Sequence, residues 1–215
     1  IMGYPVTIFE KEEKPGGMLA YGIPSFRLEK SVIEAEIEVL KAMGIEFKCG
    51  IEVGKDISLD DLRNEGYEAF YVAIGAQGSR KLNIPGEDNA MVESGIDFLR
   101  KVNKTENPNL ISGDVVVVGG GNVAIDVARA ALRSGAEKVH LYSLEQEAEM
   151  PASFEEVQEA KEEGILLHCG WGPKEILENS IVFKQCVSVK DKTGRFNPSY
   201  DESVLETIQC SHVLL

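Results

Sequence analysis

The sequence predicts an α/β fold built around a doubly wound parallel sheet. One observation is Val115–Val118, four consecutive β-branched residues, because a strand covered on both faces reads as a continuous apolar run. The other is that strand-like and helix-like segments alternate along the 215 residues. Such alternation indicates parallel strands joined by crossover helices.

The first part of the chain is expected to hold three strands and two helices. Apolar residues recur at helical spacing from Glu29 to Met43, and Ser58 begins a shorter helix with the S-x-x-D pattern of a capping box. The predicted strands are 6–10, 45–49 and 69–74. The third is a continuous apolar run that ends at Gly75, which predicts a buried strand.

A second α/β unit is predicted after the turn-forming segment Ile84-Pro85-Gly86. Its predicted helices are 124–134 and 153–163, and its predicted strands are 115–118, 139–144, 165–169, 181–190, 207–209 and 213–215. Ser153 and Glu156 form a second capping pattern at the start of the later helix. We divide the chain into residues 1–81, 82–203 and 204–215, and the last segment is expected to be a strand that returns to the first domain.

The charge and the cysteines exclude several classes of partner. With 22 basic and 36 acidic residues, the formal net charge is -14, which repels nucleic acids and anionic membranes. No apolar run approaches the ~20 residues that span a bilayer. The four cysteines form no C-x-x-C pair, so the chain is expected to hold no metal or iron-sulfur cluster of its own. Free thiols are typical of a cytoplasmic protein.

A glycine-rich loop follows the first strand of the second unit and opens its helix, which is the context that a Rossmann-like dinucleotide motif requires. Gly119 permits the tight turn, Gly121 lets a pyrophosphate approach the backbone, and Ala124 allows close packing of helix on strand. The helix-start N–H groups of Asn122 and Val123 would point at the phosphates. The predicted site comprises Gly119, Gly120, Gly121, Asn122, Val123 and Ala124. A glycine-rich turn without a ligand is the alternative.

Glu145 is the predicted ribose-binding acid. It lies 21 residues after Ala124, at the end of the next strand, where an acid binds the adenosine ribose hydroxyls. A 2′-phosphate there would bring two like charges within about 4 Å, and no Arg or Lys lies between Ser143 and Met150 to offset this. The residues therefore favour NAD(H) over NADP(H). A solvated surface acid is the alternative.

The sequence contains no Ser/His/Asp or Cys/His arrangement with supporting context, which fits hydride transfer because there the cofactor carries the chemistry. His140 is expected to be a core residue, and Trp171 to pack a loop rather than to contact a nicotinamide. A Rossmann-type methyltransferase is a competing interpretation. Its glycine loop would normally follow an acidic strand end, whereas Val115–Val118 is wholly apolar.

Three segments resemble one known family. Pro15–Leu28 reads PGGMLAYGIPSFRL and is similar to the PGG-x-L-x-YGIP-x-FRL signature of the glutamate synthase small (β) subunit group. Gly119–Asp126 and Glu149–Ala152 match the same group, which includes the flavin half of dihydropyrimidine dehydrogenase. The resemblance covers nearly the whole chain and implies an NAD(P)H:FAD oxidoreductase.

The resemblance implies two nucleotide domains, with residues 1–81 as part of an FAD-binding domain, 82–203 as the NAD(P)H-binding domain and 204–215 as the return strand. Glu10 would bind the FAD ribose, Gly16 and Gly17 would approach the flavin nucleotide, and Gly75 would lie where the chain passes between domains. Electrons would flow from NAD(P)H to FAD and on to an iron-sulfur domain or large subunit. A non-enzymatic nucleotide-binding or scaffold subunit with the same fold is the alternative.

Two departures from the family pattern lead to further expectations. The glycine finger of the FAD domain would precede Val6, so the chain is expected to be a fragment without stoichiometric FAD and inactive alone. A contact from Glu10 is worth about 1.5–3 kcal/mol, against the ~8 kcal/mol that micromolar affinity requires. NADPH-using members carry Tyr-Arg-Arg where this chain reads Tyr142-Ser143-Leu144-Glu145, which again favours NAD(H).

Overall fold

A computed structural model describes residues 3–79, 81–105 and 109–215. The chain forms two compact units, Ile1–Gln77 and Gly78–Leu215, so the division falls slightly before the expected boundary at 81. Within the described ranges, no helix is long and apolar enough to cross a bilayer.

The first unit is a small α/β arrangement. Its elements are β1 (Thr7–Glu10), α1 (Gly17–Tyr21), α2 (Lys30–Ala42), β2 (Glu46–Cys49) and α3 (Leu59–Asn64). Strands β1 and β2 pair in parallel, with Ile8 opposite Phe47, so α2 is the crossover helix that parallel pairing needs. Ser58 caps α3 in a complete capping box with Asp61, as its sequence pattern predicts.

The prediction of a buried strand at 69–74 is wrong. This segment has no regular secondary structure, and the side chains of Tyr71 and Ile74 are 94% and 83% exposed. A strand needs a neighbour for its backbone hydrogen bonds, and the described residues of this unit provide a sheet of β1 and β2 alone. The apolar composition indicates a strand, but no partner strand pairs with it here.

The second unit contains the remaining elements. They are β3 (Val92–Glu93), α4 (Gly95–Lys104), β4 (Asp114–Val118), α5 (Asn122–Arg133), β5 (Lys138–Ser143), a 3-10 turn (Glu147–Glu149), α6 (Phe154–Glu162), β6 (Leu166–Cys169), β7 (Trp171–Ile176), β8 (Ser180–Lys190), β9 (Phe196–Gln209) and β10 (His212–Leu214). The predicted helices and the strands around the glycine loop agree within one or two residues.

A five-stranded parallel sheet in the order β3-β10-β4-β5-β6 forms the centre of this unit, which confirms the predicted α/β fold. Side chains on one face, including Val115 and Val117, pack against α4, α5 and α6. The opposite face, which includes Val116, packs against residues of β7 and β8. Burial on both faces explains the unbroken valine run of β4.

An antiparallel sheet in the order β7-β8-β9 covers that second face. The alternation of strands and helices therefore stops after β6, contrary to the expectation that it continues throughout. Hairpin turns join these strands, and the turn at Asp191 is closed by a Gly194 N–H to Asp191 carbonyl hydrogen bond of 2.9 Å. Gly194 adopts a positive φ of 82°, which suits glycine in such a turn.

The position of the final strand differs from the prediction that 204–215 returns to the first domain. Strand β10 lies between β3 and β4 in the five-stranded sheet of the second unit, and β9 crosses the predicted boundary at 203 without a break. The physical reason is burial on both faces, since Val213 joins the cluster with β7 and β8 while Leu214 joins the helix-facing cluster.

Candidate dinucleotide site

The glycine loop lies at the carboxyl edge of the five-stranded sheet, between β4 and α5. Strand β5 runs parallel to β4, with Val118 opposite Tyr142. The loops that follow the two strands therefore meet at the same edge, which is where open α/β sheets bind their ligands. This register brings Gly119–Ala124 and Glu145 together.

Gly119 makes the turn from strand to helix. Its φ is 151°, and a side chain here would place Cβ 2.9 Å from the Ala124 Cβ, which is closer than real Cβ atoms approach. The Gly119 N–H donates to the Tyr142 carbonyl at 2.9 Å, so the turn is also tied to β5. A larger residue at either position would push α5 away from the sheet.

Gly121 caps the start of α5 and leaves open space in front of it. Its carbonyl accepts the first helical hydrogen bond from the Ile125 N–H at 3.2 Å, and a Cβ at Gly121 would meet nothing within 4 Å. The N–H groups of Asn122 and Val123 come before that first bond, where a helix supplies no carbonyl partner. The partial positive charge of the helix start favours an anion there.

The side chain of Glu145 turns back onto the glycine loop. Its Oε2 lies 2.8 Å from the Ser143 Oγ, and a Cβ built on Gly120 would lie 2.6 Å from the same oxygen. Gly120 thus lacks a side chain because the carboxylate occupies that position. Sequence reasoning assigned no such role to Gly120, and the G-x-G-x-x-A pattern leaves this residue unspecified.

The segment Met150–Ser153 braces the loop from the other side. The Ala152 N–H donates to the Gly120 carbonyl at 3.0 Å, and the Ser153 N–H donates to the Asn122 Oδ1 at 2.9 Å. Asn122 therefore holds the start of α6 against the start of α5. Within the Glu149–Ala152 segment of the family resemblance, Ala152 thus contacts the glycine loop directly.

The Asn122 bond also explains why the predicted capping box at Ser153 does not form. In a capping box the residue three positions into the helix accepts from the N-cap N–H. The Ser153 N–H is already bound by Asn122, and the Ser153 side chain makes no cap hydrogen bond.

A histidine pair lies on the sheet face that β7 and β8 cover. His140 Nδ1 lies 3.0 Å from His168 Nε2, and the Tyr142 ring stacks between His168 and Phe183, with centroid distances of 4.3 and 3.8 Å. Burial lowers the pKa of both histidines. Burial and a 2.7 Å hydrogen bond to Glu206 raise the pKa of Tyr142 well above its usual range. The sequence pattern gave no signal for this cluster, because its members lie far apart in the chain.

Other residues near this face have plain structural roles. Trp171, expected to pack a loop, lies in β7 and packs against the cluster beneath the sheet. Burial raises the pKa of the Cys210 thiol to about 11, so this thiol is protonated at neutral pH. Among the described residues, no group of three or more His, Cys, Asp or Glu side chains is arranged to hold a metal ion.

The remaining predicted site residues lie in the first unit. Glu10 ends β1, and its Oε1 accepts from the Glu12 N–H at 2.9 Å. Gly16 is the N-cap of α1 with a φ of 124°, and Gly17 is the first residue of the helix with a φ of 51°. Gly75 has a φ of 71° and lies in the irregular stretch after the exposed apolar segment.

A glycine turn that opens a helix, with an acid from the adjacent parallel strand, is the arrangement of a dinucleotide-binding α/β domain. Residues 6–214 match the family model described as pyridine nucleotide-disulphide oxidoreductase. The chain belongs to this family.

Curated relatives belong to the same group that the Pro15–Leu28 signature resembles. It is 42% identical over 204 residues to the NADP(+)-dependent formate dehydrogenase subunit beta of Moorella thermoacetica, covering 91% of this chain and 29% of that protein. It is 37% identical to the NAD-dependent dihydropyrimidine dehydrogenase subunit PreT of Escherichia coli, covering 85% and 43%. It is 33% identical to the glutamate synthase [NADPH] small chain of Azospirillum brasilense, covering 99% and 47%. The chain thus spans less than half the length of each.

A solved structure shares the fold. Mycobacterium tuberculosis FprA in complex with NADPH superposes with a TM-score of 0.81 at 21% sequence identity, covering 97% of this chain and 63% of FprA. At this identity the likeness supports the fold alone.

Proposed function

We propose that the chain binds NAD(P)H through Gly119–Ala124 and Glu145, as part of an oxidoreductase that passes electrons from NAD(P)H to FAD and on to an iron-sulfur partner. The observation that carries the proposal is the convergence of the Glu145 carboxylate on Gly120 at the carboxyl edge of the sheet. The names of the relatives support it, since they include NAD- and NADPH-dependent subunits.

The pyrophosphate lies in front of Gly121, where the backbone is open and the N–H groups of Asn122 and Val123 face outward from the helix start. A side chain at Gly121 would enter this space, since nothing lies within 4 Å of a Cβ built there. The Gly121 φ of -97° and ψ of 172° are extended backbone that alanine also adopts. The adenosine ribose lies beside Glu145, whose carboxylate accepts from its hydroxyls.

The same carboxylate favours NADH over NADPH. A 2′-phosphate about 4 Å away would cost about 1 kcal/mol if fully solvated and about 4 kcal/mol at an effective dielectric near 20. Most names of the relatives point the other way, since the formate dehydrogenase subunit is called NADP(+)-dependent and the glutamate synthase small chain is assigned to NADPH, whereas PreT is called NAD-dependent. The preference therefore rests on Glu145 and on Ser143-Leu144 in place of the arginines of NADPH-using members.

The first unit contributes to FAD binding in this proposal. Glu10 at the end of β1 binds the ribose, and Gly16 and Gly17 approach the nucleotide. A Cβ on Gly17 would have the Gln77 amide at 4.0 Å as its nearest neighbour, which leaves that side of the turn open. Gly75 lies where the chain passes toward the second unit. FAD supplies the acceptor for the nicotinamide hydride.

A glycine substitution tests the pyrophosphate site without disturbing the fold. Gly121→Ala is expected to leave the melting temperature unchanged and to weaken NADH and NADPH alike by at least about ten-fold, since a methyl group displaces the phosphates. Gly78→Ala is the matched control, because a Cβ there also meets nothing within 4 Å and its φ is not positive. Calorimetric titration measures both; undiminished binding by Gly121→Ala would contradict the proposed site.

Glu145→Ala tests the ribose site. In the unaltered chain NADH is expected to bind at least about five-fold more tightly than NADPH, and Glu145→Ala is expected to weaken NADH and to narrow this gap. Glu147→Ala, an exposed acid two residues later, is the control. Oxidation of NADH with an artificial electron acceptor, measured on the full-length flavin-containing protein, separates an oxidoreductase from a nucleotide-binding scaffold.

A further inference from the structure

Ser143 is the last residue of β5 and is fully buried. Its hydroxyl makes three contacts with Glu145: the Glu145 N–H donates to the Oγ at 3.1 Å, and the Oγ lies 2.8 Å from Oε2 and 3.3 Å from the Glu145 carbonyl oxygen. A serine hydroxyl has one proton to donate. Because the carboxylate is the strongest acceptor within reach, that proton goes to Oε2.

The backbone of Glu145 is fixed independently of its side chain. Its carbonyl accepts from the Gly170 N–H at 3.0 Å, which ties the residue to the turn between β6 and β7. If the Ser143 hydroxyl were removed, this bond would still hold the Glu145 backbone, whereas the carboxylate would lose its hydrogen bond to the serine.

Gly120 forms the opposing wall. A Cβ there would lie 2.6 Å from Glu145 Oε2 and 2.7 Å from Ser143 Oγ, so serine and carboxylate both pack against the loop backbone. Within the described part of the chain, the other carboxylate oxygen, Oε1, has no hydrogen-bond partner. One oxygen is therefore held by the protein, and the other is presented for a ligand.

We propose that Ser143 is a positioning residue that sets the choice between NADH and NADPH by holding the Glu145 carboxylate against Gly120. This inference rests on the proposed nucleotide site. Without the hydroxyl, the negative charge remains, but the side chain is free to rotate into solvent, where it neither accepts from the ribose in a fixed geometry nor blocks a 2′-phosphate. Ser143 acts through Glu145 and does not contact the nucleotide.

The test is the ratio of NADH to NADPH affinity in Ser143→Ala, measured by calorimetric titration beside the unaltered chain. Loss of one hydrogen bond to a charged group is expected to weaken NADH by about ten-fold, while NADPH binding stays the same or tightens. Ser143→Thr, which restores a hydroxyl, is expected to recover most of the ratio. Melting temperatures recorded on each variant separate a lost fold from a lost preference.

Two comparisons exclude a merely structural role. Ser180→Ala removes another buried serine hydroxyl in the same unit and is expected to leave the ratio unchanged. On a Glu145→Ala background, Ser143→Ala is expected to have no further effect on the ratio, because the two residues act as one unit.

The outcomes separate this inference from the function on which it rests. A Ser143→Ala chain that keeps the ratio, while Glu145→Ala loses it, would overturn the positioning role and leave the site intact. Additive effects of the two substitutions would overturn it as well. An unaltered chain that binds neither nucleotide would overturn the proposed function and this inference together.

Discussion

The segment 69–74 of the first unit and Val115–Val118 in strand β4 of the second are both unbroken apolar runs. Val115–Val117 are fully buried, with β10 and β5 on either side and packed layers on both faces. Tyr71 and Ile74 are largely exposed, and no strand in the described part of that unit pairs with them. An apolar run thus indicates the capacity for a buried strand, whereas neighbouring strands and layers decide whether it is buried.

The two units also differ in their cores. Among the described residues, the buried apolar side chains of the first unit are Tyr21, Pro24, Ile33 and Leu62. The second unit has two clusters, one on each face of its sheet. Matched substitutions should therefore have unequal effects in the two units, and their stability should respond differently to pH.

The largest difference in the free energy of unfolding is expected between alanine substitutions of two isoleucines. Ile181 in β8 is 0% exposed and Ile74 is 83% exposed. Ile181→Ala should lower the free energy of unfolding by about 2–5 kcal/mol, because it removes buried methyl groups and leaves a cavity. Ile74→Ala should change it by less than about 0.5 kcal/mol. Denaturant unfolding followed by circular dichroism measures both, and a cost at Ile74 equal to that at Ile181 would show that 69–74 is buried in solution.

A smaller difference is expected between two ion pairs. Arg129 in α5 is 8% exposed at its side chain and lies 2.6 Å from both Glu159 and Glu163 of α6, whereas Lys14 is 72% exposed and lies 3.1 Å from Glu34. Arg129→Ala should cost about 2 kcal/mol, since it removes several charge-assisted hydrogen bonds between the two helices. Lys14→Ala should cost less than about 1 kcal/mol.

Salt provides the control for this pair of substitutions. The small effect of Lys14→Ala should vanish in 1 M salt, where the screening length is about 3 Å, and most of the Arg129 effect should persist because its guanidinium is buried. Equal salt sensitivity in the two variants would contradict the difference in burial.

The region around the glycine loop could be predicted from the sequence because each of its signals is local. The valine run of β4, the turn at Gly119 and the helix that follows depend on residues a few positions apart. The spacing of Glu145 works because β5 must pair beside β4 after one crossover helix. For the first unit, the spacing of its residues predicted no ligand. The FAD-binding roles there were implied only by the resemblance to a known family.

Features that depend on distant residues could not be predicted in this way. The covering sheet β7-β8-β9 depends on hairpins between distant strands. Its turn Asp191-Lys192-Thr193-Gly194 is a local signal for one hairpin, but the predicted alternation of strands and helices did not include it. The place of β10 and the His140–His168 pair depend on tertiary contacts. The contact of Gly120 with Glu145 depends on a side-chain rotamer, which spacing does not specify.

Stability should depend on pH through the second unit, because His140 and His168 lie there and their pKa values are shifted. The pKa of His140 is lowered by burial and then by His168, and that of His168 is lowered by burial. The charged and titratable groups around the pair are Asp114, Lys138, Tyr142 and Glu206. Well above the ordinary histidine pKa of 6.5 both imidazoles are neutral, folded or unfolded. Below it the unfolded chain binds protons more readily, so stability falls as pH decreases.

Each proton contributes a slope of at most about 1.4 kcal/mol per pH unit, and partial exposure reduces it. The single tryptophan, Trp171, reports on this unit alone, so its fluorescence during urea unfolding at pH 7.5, 6.5 and 5.5 measures the effect. Replacing both histidines with Gln should flatten the dependence over this range. A pH dependence that survives the double replacement would assign it to other groups.

The smallest difference is expected between two exposed serines that begin helices with the same S-x-x-[DE] pattern. Ser58 accepts from the Asp61 N–H at 3.1 Å, and Asp61 accepts from the Ser58 N–H at 3.0 Å. Ser153 makes no side-chain cap. Ser58→Ala should cost about 1 kcal/mol, and Ser153→Ala only a few tenths.

Acid should reduce this difference without removing it. Hydrogen bonds from Ser58 lower the pKa of Asp61 below its usual 3.8, whereas the bond from the Asp61 N–H to the Ser58 Oγ does not depend on pH. The box is complete above that pKa and is lost as the pH falls through the lowered value, because the protonated carboxyl is a poorer acceptor. The two alanine variants should therefore differ more at pH 7 than near pH 2, as measured by helical circular dichroism during unfolding. If Ser153→Ala costs as much as Ser58→Ala at pH 7, then the Asn122 bond does not displace the second box, and the brace between the glycine loop and α6 is weaker than its 2.9 Å geometry indicates.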